Sequence, residues 1–477
     1  MKILKNYFYS VGYQMFSIIL PIITTPYISR ILGANGIGEN AYSLSIAQLF
    51  VVFGLLGTIR YGNKEIARNR NNEEDIQSTF MNIYINQLFT GIIALILYFV
   101  FINVFVAFNS PLYYIQSIYI AASLFDISWY FQGKEDFGKT VLRGISSKIL
   151  GAILIFLFVK EAHQINLYAF ILAVSNFLSI FFMWILLVKE MKVKKKNIFK
   201  INFSELIYHF KNNIVMFIPI MGIQLSSLSY QVILGITSGS TEVGYFSNAV
   251  RIITIPMYII TSLGTVMLPR MSYEIKQMNS SKVNSYLEIS LNAMLFLAIP
   301  LTFGIIAISE NFIQWFLGPG FEKVAILISI LSLRVVPTTI IEFFSFQYLI
   351  PNNKNKEYTI SISIGAVVCV VLNFIISIWL QSVGTSITLV VSELIVMICI
   401  LLFSKEKIKL FKNIDILKYC ILSLSMFLLI ISMNNLDINS ILLTFIQMLV
   451  GLLFYLIGCY LLKCKIFDIS FLKRVRQ

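Results

Sequence analysis

The chain has 477 residues, of which 58% are hydrophobic and 13% are charged, and its mean hydropathy is +0.82. A soluble chain carries roughly a quarter of its residues as Asp, Glu, Lys or Arg, so this composition excludes a soluble protein and indicates an integral membrane protein. The net charge of +14 does not indicate nucleic-acid binding, because the basic residues lie in short segments between apolar runs.

Apolar runs of about 20 residues, each long enough to cross about 30 Å of hydrocarbon as a helix, recur along the whole chain. We predict about fourteen transmembrane spans on this basis. Their boundaries are 7–29, 41–59, 80–107, 112–132, 140–159, 166–188, 213–236, 244–268, 286–309, 324–350, 359–380, 385–403, 416–433 and 440–462. The first run is too long for a signal peptide and lacks a small-residue cleavage site, so we expect it to be the first span.

The basic residues separate between alternate loops, as the enrichment of Lys and Arg in cytoplasmic loops requires. About 31 of the 37 fall in one set of loops, whereas the opposite set holds only Arg30, Lys160 and Lys323. We therefore predict a multi-pass protein of the cell membrane with an even number of spans and both termini in the cytoplasm.

The longest basic segment, KEMKVKKKNIFKINFSELIYHFK at 189–211, follows the sixth predicted span. It predicts an N-terminal lobe over 1–188 and a cytoplasmic linker over 189–212, which is either an amphipathic helix on the membrane surface or a basic loop. A C-terminal lobe would cover 213–403, and the remaining 404–477 would hold two extra spans and a basic cytoplasmic tail.

The two blocks of six spans share a short pattern. Lys-Asn at 5–6 precedes Gly38 by the same spacing as Lys-Asn at 211–212 precedes Gly244, and each glycine follows an Ile-Leu-Gly tripeptide. Same-direction repeats are typical of two-lobed transporters with a pseudo-twofold axis along the membrane normal. The predicted fold is all-α, with two pseudo-symmetric six-helix lobes plus two C-terminal helices.

No sequence pattern indicates an enzyme, a cofactor or a metal site. The chain has no Walker A loop, G-x-S-x-G turn or H-E-x-x-H sequence. Its five cysteines are dispersed without C-x-x-C spacing, and His163 and His209 lie in different segments between spans. We expect a protein without a cofactor.

Three cations, Lys148, Arg251 and Arg334, lie inside predicted spans and close to the midplane of the membrane. Each costs about 2.5–3.5 kcal/mol at a helix centre unless water or a partner receives it. They therefore predict a water-filled cavity that binds an anionic ligand, and a diphosphate suits the forked guanidinium group well.

Three acidic residues also lie inside predicted spans, namely Asp126, Glu342 and Glu393. They could neutralise the cations: Asp126 lies at nearly the same depth as Lys148, and either glutamate could serve one of the two arginines. They could instead bind a coupling ion, a proton or sodium, because intramembrane carboxylates often mark ion pathways. The sequence leaves both interpretations open.

Four stretches resemble the polysaccharide transporter family, the Wzx-type oligosaccharide flippases of the MOP superfamily. They are ISRILGANGIGENAYSLSI (28–46), LFDISWYFQGKEDFGKTVLRGISSKILGAILIFLFVK (124–160), VGYFSNAVRIITIPMYIITSLGTVMLPRMS (243–272) and QYLIPNNKNKEY (347–358). The resemblance extends in order to about residue 405. Asn40 departs from the family pattern, which has an aromatic residue soon after the second glycine, so we expect the local packing there to differ from that of the family.

This resemblance implies a flippase that moves undecaprenyl-diphosphate-linked oligosaccharide repeat units across the cytoplasmic membrane for capsule, exopolysaccharide or O-antigen assembly. Membrane lipid, the polysaccharide polymerase and the export machinery are the implied partners. A lipid II flippase and a cation-coupled exporter of the MATE type, from the same superfamily, remain alternatives. A membrane-bound polymerase or acyltransferase is disfavoured because every predicted outer loop is short.

Overall fold

A computed structural model describes residues 2–69, 72–106, 110–190, 203–277 and 280–467, and their regular structure is entirely helical. The α-helices are α1 Lys2–Leu55, α2 Thr58–Asn69, α3 Glu73–Phe105, α4 Pro111–Leu124, α5 Ser128–Gly133, α6 Phe137–Phe158, α7 Ile165–Glu190, α8 Phe203–Ser238, α9 Ser240–Lys276, α10 Ser280–Phe316, α11 Glu322–Ser332, α12 Val335–Phe344, α13 Asn355–Phe403, α14 Ile416–Ser432 and α15 Ser440–Leu461. A π-helical turn, Ser345–Leu349, follows α12.

Two of these helices are more than twice as long as a bilayer requires, and each changes direction at one residue. In α1, with 54 residues, Gly33 has φ 66° and ψ 179°, which glycine adopts without steric cost. In α13, with 49 residues, Gln381 has φ 52° and ψ −134°, which a residue with a Cβ adopts only where its surroundings hold it. The breaks fall between predicted spans, so each long helix carries two of them.

The described residues include ten helices that are long and apolar enough to cross a membrane. The predicted spans fall on helical segments of the structure, and three of them, 41–59, 112–132 and 324–350, fall on interrupted helices. The chain is thus an all-α, multi-pass membrane protein. Within the predicted linker, residues 191–202 lie outside the described part, and from Phe203 onward the chain already belongs to α8.

The chain forms two compact units, residues 1–232 and 233–477, and the boundary lies inside α8. This division places the start of α8 with the first unit and everything after α13 with the second. The four predicted domains divide the chain more finely than these two units, and that finer division stays a prediction.

In the first unit, α2 and α5 approach closely because two glycines lie at their contact. A Cβ on Gly62 would lie 2.4 Å from Cε3 of Trp129, and one on Gly133 would lie 2.7 Å from the backbone oxygen of Asn63. Trp129 is fully buried and stacks on Phe80 with ring centroids 5.3 Å apart. Small residues and a large aromatic residue thus fix the geometry of this end of the unit.

In the second unit, α14 and α15 pack on α10. Tyr419 donates a hydrogen bond to Oδ1 of Asn292 at 2.9 Å, and Tyr455 donates one to the carbonyl oxygen of Phe296 at 2.9 Å. Buried hydroxyl groups in a membrane helix need such partners, because no water is present to satisfy them. The two helices that follow the predicted C-terminal lobe therefore form part of the second unit.

Candidate functional site

The second unit contains an ion pair at the centre of its membrane helices. Arg334 donates from Nε to Oε2 of Glu393 at 3.1 Å and from a terminal nitrogen to Oε1 at 2.5 Å. Thr338 donates to the same carboxylate at 2.6 Å. Each charged side chain is 16% exposed, so the pair is largely desolvated.

Local sequence explains why Arg334 sits where it does. Pro337 cannot donate a hydrogen bond to the carbonyl of Leu333, so the helix is interrupted between α11 and α12. The chain turns tightly through the break, with Arg334 N donating to Leu331 O at 3.2 Å. Arg334 lies twelve residues after the start of α11, or about 18 Å along it. The guanidinium group therefore belongs to the interior of the tenth predicted span, at its break.

Glu342, two turns further along α12, does not share this ion pair. It is half-buried, and within the described part of the chain no ion pair forms on its carboxyl group. Glu393 lies on α13, which packs on the helix that carries Glu342. Arg334 is thus paired with Glu393, and Glu342 is a second acidic residue on the helix that follows Arg334.

Arg251 lies on α9, in the same unit, and its side chain is exposed. One turn earlier, Asn248 is fully buried and its Nδ2 donates to the carbonyl of Gly244 at 3.0 Å. On α9, the buried polar residue Asn248 thus lies one turn from the exposed Arg251. Intramembrane arginines of this kind usually face a water-filled cavity rather than lipid.

The first unit pairs its charges differently from the sequence prediction. Asp126 forms its ion pair with Arg143, at 2.8 Å, rather than with Lys148, and Lys148 donates to Oγ of Ser17 at 2.7 Å. Arg143 and Lys148 are five residues apart on α6, which places them about 140° apart around the helix. Only one of the two can face Asp126, and Lys148 instead faces α1.

A second charged cluster, which sequence reasoning missed, joins three helices of the second unit. We call Glu242, Lys323, Gln381 and Ser382 the Glu242 cluster. Lys323 donates to both carboxylate oxygens of Glu242, at 2.7 and 2.8 Å, and to the side-chain oxygen of Gln381 at 2.9 Å. Ser382 donates its backbone N–H to Glu242 at 3.2 Å. The available signal was Lys323 itself, one of three basic residues assigned to the opposite set of loops.

His209, near the start of α8, is buried beside Tyr61, with 2.8 Å between its Nδ1 and the tyrosine hydroxyl. Burial lowers the pKa of His209, although Glu65 and Glu205 oppose this shift. The buried hydrogen bond between Tyr61 and His209 gives the histidine a structural explanation. Throughout the described ranges, no three His, Cys, Asp or Glu side chains gather as metal ligands would.

Comparison with protein families and curated proteins gives consistent matches. A family described as "Polysaccharide biosynthesis protein" matches residues 3–276, which is more than half of the chain. A protein of Escherichia coli (strain K12), provisionally named an O-antigen transporter, is 22% identical over 404 residues, 84% of this chain and 96% of that protein. A Shigella dysenteriae protein of the same provisional name is 22% identical over 385 residues, 80% of this chain and 95% of its own length.

Solved structures of similar fold are membrane transporters. The lipid II flippase MurJ, in an inward closed conformation, superposes with a TM-score of 0.76 at 16% identity, covering 96% of this chain and 98% of that one. An inward-facing multidrug resistance transporter of the MATE family superposes with a TM-score of 0.61 at 13% identity, covering 84% and 96%. At these identities the likeness shows the fold.

Proposed function

The chain belongs to the polysaccharide biosynthesis protein family, as its sequence resemblance predicted, and we propose that it is a flippase for lipid-linked oligosaccharides. Its substrate would be an undecaprenyl-diphosphate-linked repeat unit, carried from the cytoplasmic to the outer leaflet by alternating access. The provisional names of the bacterial relatives support an O-antigen type of repeat unit. Family and relatives are transport proteins rather than enzymes.

The observation that carries this proposal is the two-hydrogen-bond pair of Arg334 and Glu393 inside the membrane helices. A diphosphate offers the guanidinium group the same forked acceptor geometry as a carboxylate. Displacement of Glu393 by a phosphate leaves its carboxylate without a cation in a poorly solvated place, and this penalty offsets part of the free energy gained on binding. Such an exchange binds the headgroup without trapping it, as a carrier requires.

Arg251 would add a second positive charge in the same unit, and Lys148 a third in the first unit. Arg251 is exposed and keeps its charge at any physiological pH. Lys148 is half-buried and donates a hydrogen bond to Ser17. Each of these cations is a candidate partner for a diphosphate, which carries two or three negative charges.

The proposal includes a topology of about fourteen spans, with six in each lobe and two at the C-terminus. The breaks in α1 and α13 support it, because each divides an overlong helix into two membrane-length segments. Both termini would lie in the cytoplasm, and the basic segment around 189–212 would join the lobes on that side.

Asp126, Glu342 and Glu393 are the candidate sites for a coupling proton or sodium ion. Glu342 supports this role best, because it lies near Glu393 without an ion pair of its own among the described residues. A proton bound there would reduce the repulsion between the two acids when a phosphate displaces Glu393 from Arg334. The polysaccharide polymerase and the export machinery would receive the product.

The substrate class can be tested with purified protein in proteoliposomes. The probes are an undecaprenyl-diphosphate-linked oligosaccharide, lipid II and a cationic dye, each assayed for transfer across the bilayer. We expect transfer of the oligosaccharide lipid, slower transfer of lipid II because its sugar–peptide headgroup differs, and no dye export. Dye export without lipid transfer would support the multidrug exporter, and preference for lipid II would support the lipid II flippase.

A further inference from the structure

Both units contain an interrupted helix at a corresponding place in the predicted repeat. The fourth predicted span breaks between α4 and α5, at Phe125–Ile127, and the tenth breaks between α11 and α12, at Leu333–Arg334. Under a repeat of six spans these two segments are equivalent. Interrupted helices in corresponding positions of two halves point to substrate contact, because irregular backbone at membrane depth persists only inside protein or beside water.

The side chain of Gln87 stabilises the first break. Gln87 is 1% exposed, and its Nε2 donates to the carbonyls of Ser123, Leu124 and Asp126 at 2.7, 3.3 and 3.0 Å. Its Oε1 accepts a hydrogen bond from the indole of Trp129 at 3.0 Å. The carbonyl groups that the break frees are therefore satisfied within the protein, and the interruption is a stable feature.

The break carries Asp126, whose carboxylate binds one terminal nitrogen of the Arg143 guanidinium group. Oδ1 of Asp126 accepts from the backbone N–H of Ser128 at 2.9 Å and from a terminal nitrogen of Arg143 at 2.8 Å. The same nitrogen also lies 3.9 Å from the sulfur of Met183. Among the described residues, Nε and the other terminal nitrogen of Arg143 have no hydrogen-bond partner, and the side chain is 19% exposed. Arg334, by contrast, uses two nitrogens on Glu393.

The depth of Arg143 differs from that of Arg334. Arg143 lies six residues after the start of α6, or about 9 Å along the helix from the end predicted to be cytoplasmic. Arg334 lies near the midplane. An accessible guanidinium group with an uncommitted edge, close to the cytoplasmic side, is placed to meet an anionic headgroup that enters from that side.

We propose that Arg143 is an entry site for the diphosphate of the lipid-linked substrate, with its free edge binding phosphate oxygens while Asp126 retains the other edge. The proposal rests on the proposed flippase function and assigns it a residue of the first unit. Asp126 is then a positioning residue, which orients the guanidinium group and also competes with the phosphate for it. Gln87 and the break fix the position of Asp126.

The test is equilibrium binding of tritium-labelled undecaprenyl diphosphate to the detergent-solubilised full chain, measured by scintillation proximity. Arg143→Gln removes the charge and should weaken binding about 10- to 100-fold, and Arg143→Lys, which keeps the charge but not the fork, about 3- to 10-fold. Asp126→Asn removes the competing charge and should tighten binding about 3- to 10-fold. Arg68→Gln, which removes an exposed guanidinium group from its ion pair with Glu65, is the matched control.

Competing ligands identify the source of the phosphate. Undecaprenyl monophosphate and phosphatidylglycerol should compete weakly, and inorganic pyrophosphate should compete less well than the unlabelled diphosphate lipid. Pyrophosphate that competes equally would overturn the assignment to a lipid headgroup. Thermal unfolding of each variant is measured in parallel, so that a binding defect in a folded variant is distinguished from misfolding.

Three results decide between this inference and the proposed function. If the wild type binds the diphosphate lipid and Arg334→Gln weakens binding while Arg143→Gln does not, the entry site is wrong and the flippase stands. The same holds if Asp126→Asn weakens binding as much as Arg143→Gln, since a purely structural pair behaves in that way. If the wild type does not bind the lipid at all, the proposed function fails and the entry site with it.

Discussion

At the scale of single residues, the chemistry of the protein depends on which charge receives which partner. Arg334 forms two hydrogen bonds with Glu393, and the carboxylate takes a third from Thr338. The removal of one partner leaves the other charged and poorly solvated, whereas the removal of both leaves an apolar contact. The pair should therefore be more sensitive to single than to double substitution.

Arg334→Leu is expected to lower the free energy of unfolding by about 3 kcal/mol, because it leaves Glu393 without its cation. The double variant Arg334→Leu, Glu393→Leu should recover most of that loss, apart from the hydrogen bond of Thr338. Thermal unfolding of the three proteins in detergent provides the comparison. A double variant at least as unstable as the single variant would show that the pair stabilises the fold directly.

At the scale of helices, close approach depends on positions without a side chain. The contact of α2 with α5 is the clearest case, because the ring of Trp129 occupies the space where a Cβ on Gly62 would lie. Trp129 also donates to Gln87, which supports the break between α4 and α5. Movement of this ring would therefore disturb the position of Asp126 as well.

Gly62→Ala is expected to destabilise the protein by about 1–3 kcal/mol, because the added Cβ overlaps a fully buried indole that cannot move without repacking. The matched control is Gly304→Ala in α10, where a Cβ would lie 3.6 Å from Cε of Met426, an ordinary contact. Unfolding temperatures measure both. Equal stability of the two variants would contradict the proposed packing of α2 on α5.

The Glu242 cluster also connects helices, because it joins the starts of α9 and α11 to the break in α13. Lys323→Ala should cost about 1–2 kcal/mol, because Glu242, at 8% exposure, would keep its charge and lose its cation. Lys356→Ala, at an exposed position of α13, should change stability by less than about 0.5 kcal/mol. Thermal unfolding distinguishes them, and a neutral Lys323→Ala would mean that the cluster is not structural.

At the scale of the whole molecule, hydropathy and charge were enough to predict an all-α membrane protein and the place of nearly every helix. They also placed Arg334 and Glu393 inside spans, because a charge in an apolar run is visible without a structure. The partner choice was not visible, since it depends on the orientation of each helix about its axis: Asp126 faces Arg143 rather than Lys148. The interruption of the fourth span was likewise hidden, because no proline or glycine lies beside it, whereas Pro337 marks the interruption of the tenth span.

The linker over 189–212 stays a prediction from a run of basic residues. The two compact units of the structure divide at 232–233, inside α8. Charge reports which side of the membrane a loop occupies, and it carries no information about which helices pack together. The assignment of the last two helices to the second unit follows from contacts such as Tyr419 with Asn292, which only the structure reveals.

The central claim is that cations within the membrane helices bind the diphosphate of a lipid-linked oligosaccharide during its transfer. The most direct measurement is the initial rate of transfer of that lipid in proteoliposomes for the wild type, Arg251→Gln, Arg334→Gln and the control Arg68→Gln, at equal protein content. We predict that each membrane-helix variant loses at least about 90% of the rate, as the loss of a charge-assisted hydrogen bond implies, and that the control keeps it. Wild-type rates in both Arg251→Gln and Arg334→Gln would contradict the claim.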